Sequence, residues 1–72
     1  MPDRLSNRLR DERDARGLTQ AGLAELVGVS RKTINTVENG VFIPSTLLSL
    51  KLAQALDCRV EDIFWLTGER QH

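Results

Sequence analysis

The sequence predicts an all-α domain built of five short helices. Three observations lead there. Leucine and alanine are abundant and runs of β-branched residues are few. Pro2 and Pro44 fall where no helix would be interrupted. Small polar residues repeatedly precede stretches with apolar side chains three or four apart, and glycine or a polar turn residue then stops them.

The first helix spans Asn7 to Arg16, capped by Ser6 or Asn7 and ended by Gly17. Its apolar stripe is thin: Leu5, Leu9 and Ala15. Thr19 opens the second helix as N-cap, with Leu18 placed to pack back as a staple. Leu23, Ala24, Leu26 and Val27 supply its buried face and Gly28 ends it. Gly22 is unusual in a helix interior, where it costs about 1 kcal/mol relative to alanine. It suits either close approach of a backbone or phosphate, or simple sequence drift. Ser30 caps the third helix, Arg31 to about Glu38, with Ile34 and Val37 inward and Asn39-Gly40 as the stop. Val41, Phe42 and Ile43 are expected to fold over the core, and Pro44 holds Ile43 extended. Ser45 caps a fourth helix to about Leu56, whose apolar residues, Leu47 and Leu50 among them, cover more than one face, as in a central helix. Val60 to Phe64 forms a short fifth helix, followed by a possible short strand.

Composition excludes several classes. Seventy-two residues make a single domain, 1–72. Cys58 is the only cysteine and His72 the only histidine, so neither an intrachain disulfide nor a four-ligand zinc site is available. Cys58 is read as a small core residue, and His72 as a frayed end. No run is apolar enough for a membrane span or a signal peptide, which points to a cytoplasmic protein. No base–nucleophile pair, metal-ligand spacing or glycine-rich phosphate loop stands out. No enzyme activity, metal or cofactor is expected. Ten basic and ten acidic residues give a net charge of zero, but Arg8, Arg10, Arg13 and Arg16 crowd the first segment while Asp57, Glu61, Asp62 and Glu69 lie toward the end.

Two short helices joined by a tight turn, "LAELVGVSRKTINTV", make a helix-turn-helix pattern. Ala24 is small where the second helix must cross closely. Gly28 suits a left-handed turn, and Val29, Ile34 and Val37 seal the pair. Together "GLTQAGLAELVGVSRKTINTVENG", "PSTLLSLKLAQALD" and "VEDIF" resemble the Cro/CI-type (XRE-like) helix-turn-helix regulators over roughly residues 7 to 64. The resemblance implies a five-helix, lambda-repressor-like DNA-binding domain, with the helix-turn-helix over about residues 19–39 and the third helix as recognition helix.

Carried over position by position, the resemblance implies that Arg31, Lys32, Thr33, Asn35 and Thr36 face base edges in the major groove, with a backbone contact as the alternative for Asn35. Arg31 has the planar fork that bonds guanine O6 and N7 together. Thr19, Gln20 and Ser30 fall at helix N-termini suited to backbone phosphates, and Asn39 and Gly40 match a second phosphate clamp. Arg13 and Glu38 match a buried ion pair between the first and third helices. Three departures stand out: Glu12 at a position usually apolar, Arg59 where a Ser/Thr-like cap is usual, and the apolar Val41–Ile43 linker.

Residues 63–72 are read as a dimerisation extension. Leu5, Phe64, Trp65 and Leu66 form its candidate interface, because large aromatics favour interface cores; the alternative for Trp65 is a cap on the monomer's own core. Residues 2–6 could pair with 64–68 as a short two-stranded ribbon. A homodimer would set two recognition helices about 34 Å apart on a palindromic duplex. The expected partner is therefore double-stranded DNA, and the expected role a transcriptional regulator acting as a repressor. The alternative is an antitoxin or adaptor of the same fold, binding another protein through "VFIPS" or "FWLTG".

Overall fold

The computed structural model describes residues 3–68. Pro2, Glu69 and His72, together with the rest of the expected extension beyond residue 68, lie outside the described residues. The elements run β1 (Arg4–Asn7), α1 (Leu9–Ala15), α2 (Gln20–Val27), α3 (Arg31–Glu38), α4 (Thr46–Ala55), α5 (Val60–Ile63) and β2 (Phe64–Thr67). The helices enclose one core, in which Leu9, Leu23, Ile34, Leu52, Leu56 and Ile63 are fully buried.

Side-chain caps set three of the helix starts. The hydroxyl of Thr19 accepts from the Gly22 N–H at 2.9 Å, that of Ser30 from Thr33 at 3.1 Å, and that of Ser45 from Leu48 at 3.0 Å. Each satisfies an N–H that has no partner within its helix, worth about 1 kcal/mol. Gly22 belongs to the first of these caps. A Cβ there would meet the Thr19 hydroxyl at 3.1 Å, so the close neighbour is the helix's own cap.

Helix α1 starts later than the sequence suggests, because Ser6 and Asn7 belong to β1. Asn7 still caps from within the strand: its Oδ1 accepts from the Leu9 N–H at 3.0 Å while its Nδ2 donates to the Val37 carbonyl at 3.0 Å. Gly17 then ends α1 at φ +68°, and Gly28 turns the chain between α2 and α3 at φ +75°, where a side chain would be strained. At α5 the N-cap Arg59 has no acceptor to offer. Asp62 supplies the reciprocal contact by accepting from the Arg59 N–H at 2.9 Å.

The strands pair antiparallel, with Arg4 opposite Thr67, Leu5 opposite Leu66, Ser6 opposite Trp65 and Asn7 opposite Phe64. The Ser6 and Thr67 hydroxyls share a hydrogen bond across them. The Arg8 N–H extends the link to the Ile63 carbonyl at 2.9 Å.

Several apolar positions differ from the sequence reading. Ala15, Leu26, Leu47 and Leu50 are exposed rather than core. Each lies on a helix face that no other element among the described residues covers. Val41, Phe42 and Ile43 do not fold over the core either. The Val41 and Phe42 N–H groups both donate to the Thr36 carbonyl, at 2.9 and 3.2 Å, which holds the loop against the end of α3 with its side chains outward. Pro44 is the buried member of that loop. Glu12, polar where an apolar residue is usual, is held in an ion pair. It pairs with Arg16 at 2.7 Å, and the Arg16 Nε donates to the Leu56 carbonyl at 2.6 Å, closing the end of α4.

Candidate nucleic-acid interface

Helix α3 is amphipathic in the sense that matters for recognition. Ile34 and Val37 are 0% and 1% exposed and hold it to the core. Arg31 and Lys32, in its first turn, are exposed, and neither forms an ion pair with any described residue. Two unneutralised cations therefore project from the start of a rigid helix.

The flanking hydroxyls and amides are partly engaged. Ser30 and Thr33 share a hydroxyl–hydroxyl bond of 3.0 Å beside the N-cap. The Thr36 hydroxyl lies 3.0 Å from both the Lys32 and the Thr33 carbonyls. Its single proton is therefore turned back onto the helix and an oxygen lone pair stays outward. Asn35 accepts from the Asn39 side-chain amide at 3.3 Å, which leaves the Asn35 NH₂ free to donate.

Behind this face sits a buried carboxylate. The Glu38 side chain is 0% exposed and takes the Arg13 Nε at 2.6 Å and Nη2 at 3.3 Å. Gln20 donates its amide to the same carboxylate at 3.0 Å, and Arg10 approaches it at 3.5 Å. Arg13 also donates to the Leu18 carbonyl at 2.8 Å and lies 3.2 Å from the Asp14 carboxylate. Burial pushes the Glu38 carboxyl upward. The hydrogen bonds from Arg13 and Gln20, then the Arg13 charge, outweigh it, so the group stays ionised below its ordinary range. One carboxylate thus ties α1, α2 and α3 together and fixes the orientation of α3 against α2.

The phosphate candidates fall in two groups around this hub. Thr19 and Gln20 stand at the start of α2, with one amide proton of Gln20 held by Glu38 and the other free. Asn39 and Gly40 stand at the far end of α3, where the Arg10 guanidinium donates to the Asn39 side-chain oxygen at 3.2 Å. Arg10 is a polar neighbour that sequence reading missed; it lies 29 positions from Asn39, and no local spacing marks the contact.

The residues grouped as a dimer surface divide. Phe64 is 6% exposed and part of the core, and Leu5 is half-buried against it. Both lie where the ribbon meets the helices, so the chain's own core covers them. Trp65 and Leu66 are 40% and 54% exposed, and the Arg8 guanidinium sits 5.3 Å from the Trp65 ring centroid. Among the described residues no cluster of histidine, cysteine or carboxylates could hold a metal ion. No helix among them is long and apolar enough to cross a membrane.

Two helices set across a left-handed glycine turn, the second anchored by one face and polar on the other, define a helix-turn-helix domain. A family model described as helix-turn-helix matches residues 9–63, and the chain belongs to that family, in its XRE-like form. It is a family of transcriptional regulators, not enzymes. The chain is 40% identical over 65 residues to an uncharacterized HTH-type transcriptional regulator, YgzD, of Bacillus subtilis, covering 90% of this chain and 98% of the relative. Among solved structures it is similar to the restriction-modification controller protein C.AhdI of Aeromonas hydrophila, at 44% identity and a TM-score of 0.73 over 76% of this chain and 83% of that one. It is also similar to the transcriptional regulator VanUg, at 26% identity and a TM-score of 0.73 over 96% and 92% of the two chains.

Proposed function

We propose that the protein is a sequence-specific double-stranded-DNA-binding regulator that acts as a homodimeric repressor. In this reading each protomer lays α3 in the major groove of one half of a palindromic operator. The observation that carries it is the first turn of α3. Arg31 and Lys32 are exposed, and paired with no carboxylate among the described residues, on a helix whose other face is locked by Ile34 and Val37.

Roles follow from chemistry. Arg31 offers the bidentate fork that selects guanine, and Lys32, Thr33, Asn35 and Thr36 supply single contacts around it. The start of α2, with Thr19, the free proton of Gln20 and backbone N–H groups, takes one phosphate. Ser30, Asn39 and Gly40 take others. Glu38 and Arg13 touch no DNA; they keep these groups in register. One helix reads too few base pairs to select a site in a genome, so two half-sites one turn apart are required. Occupancy of such a site excludes other proteins from it, the simplest route to repression.

Selection of bound duplexes from a random pool tests the reading. An enriched sequence with two-fold symmetry is expected, and Arg31→Ala should bind it at least about tenfold more weakly. No enrichment, together with unchanged affinity of Arg31→Ala, would overturn it. A second reading is favoured by the outward Val41, Phe42 and Ile43 side chains: an antitoxin or adaptor of the same fold that works through a protein partner. A stoichiometric protein partner retained from native cells, with no retention on DNA, would favour that second reading.

A further inference from the structure

The homodimer proposed above needs a self-complementary surface, and the apolar residues left uncovered by this chain's own packing indicate where it lies. Leu47, Leu50, Lys51 and Gln54 fall at positions i, i+3, i+4 and i+7 of α4, one stripe down the helix. Leu48, Leu52 and Ala53 occupy the opposite side and are buried, whereas Leu47 and Leu50 are 64% and 56% exposed. A groove of about 250 Å³ flanks the stripe on one side, walled by Val27, Val29, Thr33 and Phe42. A second, of about 720 Å³, follows the stripe to the α4–α5 turn and is walled by Cys58, Val60 and Glu61. Leu47 and Lys51 border both grooves. An apolar ridge with a groove on either side is the relief into which another helix packs.

We propose that the outer face of α4, with the groove leading to Val60 and Glu61, is where a second copy of this chain docks. The inference rests on the homodimeric reading and gives it a surface. Charge complementarity selects a second copy as occupant. Lys51 on the ridge and Glu61 at the end of the groove form no ion pair with any described residue. In a two-fold arrangement the same patch meets itself, so Lys51 of each protomer faces Glu61 of the other, twice, around a centre of Leu47 and Leu50. The terminal ribbon offers less. Phe64 is in the core, Leu5 is half-buried, and Trp65 already carries Arg8 against its ring. The α4 face also borders the recognition helix, because Thr33 lines the first groove. Pairing there would therefore fix how the two α3 helices are presented to one duplex.

Sedimentation equilibrium of the wild-type chain and five variants tests the assignment, with circular dichroism as the check on folding. The wild type should be dimeric. Leu50→Lys should remain helical, since the site is exposed, and should raise the dimer dissociation constant by about thirtyfold or more. Lys51→Glu alone and Glu61→Lys alone should each weaken the dimer, and the double exchange should restore it, a pattern that loss of folding cannot produce. Trp65→Ala should leave the dimer intact. If Leu50→Lys folds and dimerises like the wild type and the charge exchange shows no coupling, the α4 assignment is overturned while the homodimer stands. If the wild type is a monomer at every concentration, free and on DNA, the homodimeric reading falls and the assignment with it.

Discussion

Glu38 shows how much one side chain organises here. Its carboxylate is sealed from solvent against Arg13 and also takes a bond from Gln20 on a third element. Glu38→Ala would strand the Arg13 guanidinium in a site only 11% exposed, so a loss of about 3 kcal/mol in unfolding free energy is expected in urea titrations. The pH dependence has a definite sign. A carboxyl held below its ordinary value stabilises the fold fully above the unfolded-state value, and that stabilisation is lost as pH falls through the lowered one. The stability gap between wild type and Glu38→Ala should therefore be widest near neutrality and close under acid, which thermal melts across a pH series would measure. The pairing of Arg13 with Glu38 was legible through a family resemblance. The engagement of Gln20 and Arg10 by the same hub was not, because 18 and 28 positions separate them from Glu38. Such contacts arise only when three helices meet.

At the scale of elements, punctuation was the readable part. Thr19, Ser30 and Ser45 each stand one residue before the helix they cap, and each has the acceptor that chemistry predicts. Ser45→Ala should lower stability by about 1 kcal/mol, seen as a lower thermal midpoint with an unchanged helical spectrum. Gly28→Ala should cost about 1–2 kcal/mol, because an alanine at φ +75° is strained even though the space beside it is open. The start of α1 was not legible. Ser6 and Asn7 have the chemistry of caps, but the ribbon claims them, and strand pairing to a partner some sixty residues away leaves no local mark. The outward turn of Leu26, Leu47 and Leu50 was equally hidden. Leucines around more than half of a helix say that it is apolar, not which side its own chain will cover.

For the whole molecule, zero net charge sets a particular expectation about binding. Long-range attraction to DNA is weak, so affinity must come from local cations and N–H groups close to phosphates. Binding should still fall log-linearly with added salt, and titrations at several salt concentrations would read from the slope how many phosphates the bound protein neutralises. The fold class and the helix-turn-helix were legible because they depend on local spacing. The ribbon's register and the uncovered α4 face depend on the finished shape. The ribbon also orders events during synthesis. Among the described residues Arg4–Asn7 pairs with Phe64–Thr67 and no other strand, so it must wait, edge bare, until the five helices between them have been made. The helices between them are free to collapse before that pairing, which leaves the ribbon to fasten like a clasp on a body already closed.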